Sequence, residues 1–332
     1  MNLLAGIILA ILFGILPMAI LAGLLTLFDR YEREPFWLML GVFLWGFFIS
    51  AGVAILLNTL FGFSLFALTG SEGLASVGTA VLSAPIVEET VKGLAVLIVF
   101  IYFRHEFDSI LDGVLYGGLV GYGFAAAENI NYIFTGFVSA GAEGLILLVV
   151  IRVVLIPFLH ATLTAFTGIG LAVGRLNNGF WRVAGPVGGY LAAIFLHFTH
   201  NLLSSTGSEL ICLFGSVLDW LGFVGMFIFI LVLVWREGKI MREQLQEEVR
   251  LGNLSEGQYH TTCSLGGQVA ARWGALAGGR WRQTAQFYDA CGELAFKKYQ
   301  LARLGPAREG DAQANIAKLR GQLARLSAGQ AG

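Results

Sequence analysis

The chain has 332 residues, 56% of them hydrophobic and 13% charged, with a mean hydropathy of +0.74. A soluble domain carries about 25% charged residues, so this composition excludes an ordinary soluble protein and implies a polytopic membrane protein with a polar end. The formal net charge of −1 leaves no basic excess, and no nucleic-acid partner is expected.

A membrane-crossing helix needs about 20 apolar residues. Seven stretches meet that length: 3–28, 36–60, 75–103, 113–137, 144–173, 185–205 and 211–235. The first lacks a basic leader and is too long for a signal peptide, so it is read as a span. Residues 61–74 read as a re-entrant or surface segment. The chain has 44 glycines, which suits close helix packing. Arg30, Arg33, Arg104, Arg175, Arg182, Arg236, Lys239 and Arg242 fall in alternate loops, while 61–74, 138–143 and 206–210 contain no Lys or Arg. The positive-inside rule then puts the N-terminus outside and the C-terminus in the cytoplasm of the cell membrane.

Residues 236–332 change character. A charged helix is expected to Leu251, then a break over Gly252–Gly257 with Ser255 as an N-cap. One or two helices follow over 267–303, with aromatic and basic residues interleaved, and a short helix over 312–326 after a break at Pro306 and Gly310. This end reads as a helical appendage packing on itself, with a surface helix at inner-leaflet headgroups as the alternative. Cys212, Cys263 and Cys291 have no metal or redox spacing and read as structural. The expected fold class is all-α: a polytopic transmembrane helix bundle of about seven spans over 1–236 and a soluble helical cytoplasmic tail over 237–332.

Four apolar stretches carry ionisable clusters. They are Glu88, Glu89 and Lys92; Glu128 and Asn129; His160 and Thr164; and His197, His200 and Asn201. A charge at the centre of a membrane helix costs about 2.5–3.5 kcal/mol on the insertion scale, so such groups mark function by default. The first members lie 12–16 residues from the cytoplasmic ends of their spans, which places the clusters in one layer. Glu88 and Lys92 are i,i+4 and able to pair, while Glu89 points about 100° away to a second partner. Arg152 has Glu128 or Glu143 as candidate partners. His197 and Asn201 share a face and read as ligand plus orienter, or as a pair that steadies an oxyanion. Carboxylates and imidazoles together suit zinc with one position left open for water, or a metal-free reaction in which a glutamate activates water.

The motifs Glu88-Glu89-x-x-Lys92, Phe124-x-x-x-Glu128-Asn129, His160-x-x-x-Thr164 and His197-x-x-x-Asn201, with the loop from Asp29 to Pro35, resemble the PrsW family of intramembrane proteases over about residues 1–236. They are similar, more distantly, to type II CAAX prenyl endopeptidases and bacteriocin-processing enzymes. Lys92 and Glu128 depart from the arginine and histidine of those enzymes, which speaks against a prenylated substrate. The resemblance implies peptide hydrolysis within the lipid bilayer, as in site-1 cleavage of a membrane-bound anti-sigma factor. Glu88 and Glu89 are then expected to supply the water-activating base and a ligand. Glu89, Glu128, His160 and His197 form the expected zinc set, or Glu128, His160 and His197 act as proton carriers, with Lys92, Asn129, Thr164, Asn201 and Arg152 supporting them. The readings from other classes are a proton- or ion-coupled transporter, which also places carboxylates and histidines at the midplane, and a non-catalytic membrane scaffold. No internal repeat of the transporter kind is visible.

Overall fold

The computed structural model describes residues 2–306 and 310–330; residues 1, 307–309 (inside the expected break between Pro306 and Gly310) and 331–332 lie outside the described residues. Every regular element among the described residues is helical. In chain order these are α1 (Leu3–Thr26), α2 (Phe36–Leu44), a π-helical segment (Trp45–Ser50), α3 (Ala51–Thr69), α4 (Glu72–Gly78), a second π-helical segment (Thr79–Ser83) and α5 (Ala84–Tyr102). A 3₁₀ turn (Arg104–Glu106) leads to α6 (Ile110–Val149), a third π-helical segment (Val150–Leu155), α7 (Leu159–Leu176) and α8 (Trp181–Ser204). Then come α9 (Glu209–Arg250), α10 (Glu256–Thr262), α11 (Leu265–Ala277), α12 (Trp281–Leu304) and α13 (Ala312–Gln330).

Among the described residues, four helical stretches are long and apolar enough to cross a membrane: Leu3–Thr26, Phe36–Thr69, Ile110–Leu176 and Glu209–Arg250. All but the first are longer than the stretches read from the sequence because helix continues where hydropathy falls. The segment read as re-entrant or surface at 61–74 holds the end of α3, a left-handed stop at Gly70 (φ 67°) and the start of α4, which Ser71 caps at Leu74 N, 3.3 Å away.

The chain divides into two compact units. The first comprises Met1–Leu27, Pro35–Arg175 and Gly179–Phe229. Its centre is α6, which packs on α1, α2, α5 and the first π-helical segment. Helix α6 begins at a capping box in which Ser109 and Asp112 satisfy each other's backbone donors. It bends sharply at Ala140 and Gly141, the latter in the left-handed region (φ 64°). Residues of α1, α2, α5 and α6, among them Met18, Val42, Val96 and Tyr116, form its apolar core.

Glycines at four-residue spacing let α6 touch the backbone of α7. A Cβ on Gly117 would lie 2.6 Å from Thr164 O, and one on Gly121 would lie 2.5 Å from Ala161 Cα. No side chain fits there. Gly121→Val is therefore expected to push α7 away and destabilise the protein by about 1–3 kcal/mol, the usual cost of overpacking. Thermal unfolding in detergent checks this, with Gly188→Val as a control that should unfold as the wild type does, since a Cβ there meets nothing within 4 Å.

The second unit comprises Phe28–Glu34, Leu176–Asn178 and Ile230–Gly332. It packs on itself: Tyr31, Met241, Leu245, Phe287, Leu294 and Leu323 share one buried cluster. The buried Glu248 carboxylate accepts from Lys298 Nζ (2.7 Å), Arg320 (2.8 Å) and Asn253 (2.8 Å). Ser255 caps α10 in a capping box with Gln258. Burial pushes the Cys291 thiol up and that of Cys263 up to about 11. Both stay protonated at neutral pH, which fits packing groups rather than nucleophiles.

Candidate active site

Glu88, Glu89 and Lys92 lie on α5, just after the π-helical turn Thr79–Ser83, with Pro85 in the first helical turn, where its missing N–H costs nothing. All three side chains are buried. Lys92 pairs with Glu89 at 2.5 Å, not with Glu88. The i,i+3 partner wins because Glu89 and Lys92 face the same neighbours. Lys92 Nζ also reaches His160 Nδ1 at 3.3 Å and sits 4.4 Å from the centre of the Phe124 ring. Glu89 takes two more donors, Thr164 Oγ1 at 3.1 Å and His197 Nδ1 at 2.9 Å. Its charge is thus fully compensated, as burial requires.

Glu128 and Asn129 come from α6. Arg152, in the third π-helical segment, chooses Glu128: its NH2 donates to Glu128 Oε2, its Nε donates to Asn129 Oδ1 at 3.0 Å, and its guanidinium lies over the Tyr132 ring. The nitrogen His160 Nε2 lies 2.6 Å from the same Glu128 oxygen. His160 is not in the middle of one long helix over 144–173. The chain breaks at Ile156 (φ −127°, ψ 40°) before Pro157, and His160 is in the first turn of α7. Proline removes a helix donor and clashes with the preceding turn, which re-aims the chain there.

His197 and Asn201 come from α8. Asn201 Nδ2 donates to Ala80 O at 2.7 Å, a carbonyl of the π-helical turn that leads into α5. His200, one face away, pairs instead with Asp219 of α9 at 2.8 Å. Sequence reasoning had no partner for His200, because Asp219 lies in another apolar stretch.

Three donors from three helices meet. Glu88, His160 and His197 each offer an atom within 4.8 Å of the others. His197 Nε2 lies 3.8 Å from Glu88 Oε2. That oxygen is buried and has no hydrogen-bond partner among the described residues. A buried unpaired carboxylate oxygen is costly, and a cation would relieve it. His160 is held at both ring nitrogens, by Lys92 at Nδ1 and by Glu128 at Nε2, so it ligates an ion only when one of these contacts gives way. His197 is pre-oriented for such a role: its Nδ1–H donates to Glu89, which leaves Nε2 with a free lone pair. This is the carboxylate–histidine support that metal ligands characteristically have, and the donor set fits zinc. Glu89 and Glu128, expected as ligands, stand one step behind the imidazoles in this arrangement, and Glu88 stands in front.

A cavity of about 710 Å³ opens on the site, lined by Ala51, Asn58, Phe63, Glu88, Glu128 and Tyr132 among others. Asn58 is the polar neighbour that sequence reasoning missed. Its Nδ2 lies 3.5 Å from Glu88 Oε1, and its Oδ1 accepts from Ser83 Oγ at 2.8 Å. The available signal was one amide in the apolar stretch 36–60.

A family model described as "PrsW family intramembrane metalloprotease" matches residues 34–235. Curated relatives named "Protease PrsW" match as well. The one from Geobacillus kaustophilus is 33% identical over 38% of this chain and 52% of its own length. That from Clostridioides difficile is 37% identical over 37% of this chain and 50% of its own length. That from Bacillus subtilis is 26% identical over 57% of this chain and 80% of its own length. The chain spans about half the length of the first two. No solved structure matches at the same stringency.

Proposed function

Because the chain belongs to the PrsW family of intramembrane metalloproteases, we propose that it cuts peptide bonds of membrane-bound proteins, such as an anti-sigma factor, at the buried Glu88–His160–His197 group. The observation that carries this reading is the unpartnered Glu88 Oε2 beside two oriented imidazoles at the edge of an open cavity. Glu88, His160 and His197 would hold the ion. Zinc bound by such a set with one position open supplies a nucleophilic water at neutral pH.

The chain's own groups do the rest. Glu89, anchored by Lys92 and Thr164, fixes the ring of His197. Glu128, anchored by Arg152, fixes the ring of His160. Asn129 steadies Arg152, and Asn201 ties α8 to the turn before α5. Glu88 turns one oxygen toward His197 and the other toward Asn58 and the cavity. The cavity-side oxygen takes the proton of the attacking water and passes it to the leaving amine.

We place this site in a transmembrane domain over 1–236 with about seven crossings, the N-terminus outside and the C-terminus cytoplasmic, in the cell membrane. Residues 237–332 form the cytoplasmic tail. The alternating loop charges support this arrangement. With Ile110–Leu176 crossing twice, as α6 and α7, the apolar helices α5 and α8 bring the count to seven.

Purified protein and fluorescently labelled casein in detergent micelles test the function. Hydrolysis is expected, lost on phenanthroline treatment and restored by zinc. Hydrolysis that survives complete metal removal would contradict the metal reading. Ion flux in proteoliposomes without hydrolysis would contradict the protease reading.

A further inference from the structure

Hydrolysis of an amide drives charge onto the carbonyl oxygen, and a preorganised donor must meet it. Asn201, the amide expected from the sequence for that task, gives one hydrogen to Ala80 O at 2.7 Å and is not among the residues that line the cavity. Lys92 is committed to Glu89 and His160, and Arg152 to Glu128 and Asn129. Among the polar residues lining the cavity, Asn58 is the amide that adjoins Glu88, and its contact from Nδ2 to Glu88 Oε1 is long, at 3.5 Å.

Resting on the protease reading above, we infer that Asn58 is a substrate-contacting residue whose Nδ2–H receives the scissile carbonyl oxygen, with Ser83 as the positioning residue that keeps its amide the right way round. The orientation follows from chemistry. Ser83 Oγ donates to Asn58 Oδ1 at 2.8 Å, so Nδ2 faces Glu88. A flipped amide would put its oxygen against a carboxylate and lose that contact. An amide nitrogen carries two hydrogens, so one meets Glu88 Oε1 while the second is open to a ligand in the cavity.

Ser83 closes the π-helical turn Thr79–Ser83, and Asn201 holds the Ala80 carbonyl of the same turn. Such turns recur at functional sites. Here one turn sets the start of α5, hence Glu88, and the amide of Asn58 together. In the step itself the water oxygen bonds to the carbonyl carbon, and its proton goes to Glu88. The carbonyl π pair moves to oxygen, where Asn58 Nδ2–H donates to it. On collapse that pair reforms the C=O bond, the C–N bond breaks, and the amine nitrogen takes the proton from Glu88.

The test is casein hydrolysis by the full-length protein, with kcat and KM measured separately. Asn58→Ala is expected to lower kcat by about 10²–10³-fold, as loss of an oxyanion donor does, with KM little changed. The isosteric Asn58→Asp should fall as far, which guards against a packing defect. Ser83→Ala should lose about 10-fold, as loss of a supporting residue does. Ser83→Ala added to Asn58→Ala should cost nothing more, because both act through one amide. Zinc content and thermal unfolding should match wild type in Asn58→Ala, Ser83→Ala and their double variant. Wild-type kcat in Asn58→Ala, or losses that multiply in the double variant, would overturn this inference while Glu88→Gln still reports on the protease reading. An inactive wild-type protein would overturn that reading, and this inference with it.

Discussion

Glu88→Gln is expected to lower casein hydrolysis by about 10²–10⁴-fold, the range for loss of a positioned acid–base group, and to strip the bound ion as well. The change is nearly isosteric. It changes the one buried carboxylate oxygen that lacks a partner among the described residues and leaves Asn58 and His197 where they are. Stability should hold or improve, since a buried unpaired charge is a liability. The signature is therefore an inactive protein with an undiminished unfolding temperature and no stoichiometric zinc. An active Glu88→Gln protein would remove Glu88 from the chemistry. Glu89→Gln makes the contrast. Its carboxylate serves Lys92, Thr164 and His197, so that variant should lose stability along with activity.

Lys92→Met is the second large effect. Lys92 and Glu89 both have fully buried side chains, and removing one partner of such a pair costs about 3–5 kcal/mol because the other charge is left uncompensated. For a protein of this size that is a fall in Tm on the order of 10 °C. His160 also loses its neighbour at Nδ1 and Phe124 loses the cation over its ring. The double variant Lys92→Met with Glu89→Gln should unfold at a higher temperature than Lys92→Met alone, because both members of the pair are then neutral. A glutamine oxygen still accepts from His197 Nδ1, so part of the activity should return too. Thermal unfolding of the four proteins in one detergent gives the coupling directly. Additive effects would mean that the pair does not act as a unit.

The sequence made the participants legible, and it left their partners open. Two carboxylate clusters and two histidine clusters in apolar stretches were visible because charge in a span is expensive. Helical spacing alone allowed Lys92 to take Glu88 or Glu89, and allowed Arg152 to take Glu128 or Glu143. The choice depends on what packs against each face, and that is tertiary. The same limit hid Asn58 and Asp219. Asn58 is the single amide and Asp219 the single charged residue of its apolar run, and each acquires meaning only from a side chain on another element, Ser83 and Glu88 for the first and His200 for the second. The π-helical turns and the break at Ile156–Phe158 left a trace only at Pro157, since a π turn differs from an α turn by one residue in its hydrogen bonding. Glycine was readable as close packing in general. That Gly117 and Gly121 admit the backbone of α7, and so bring His160 toward Glu128, required the helices in place.

The role of each glutamate shifted for a related reason. Adjacent residues on a helix face different surroundings. Glu89 faces α7 and α8, where Thr164 and His197 reach it beside Lys92 of its own helix. Glu88 turns Oε1 toward Asn58 and the cavity, while no donor among the described residues reaches its Oε2, which lies toward His197. The ligand expected at Glu89 is therefore better sought at Glu88.

The measurement that tests the central claim most directly is X-ray absorption at the zinc edge of the zinc-loaded protein, compared with Glu88→Gln, His160→Ala and His197→Ala. Nitrogen and oxygen ligation with the scattering of two imidazoles is expected in the wild type, and each histidine variant should lose one imidazole or the metal altogether. A protein that binds no zinc, or a spectrum that all three substitutions leave unchanged, would contradict the convergence of these side chains on one catalytic ion.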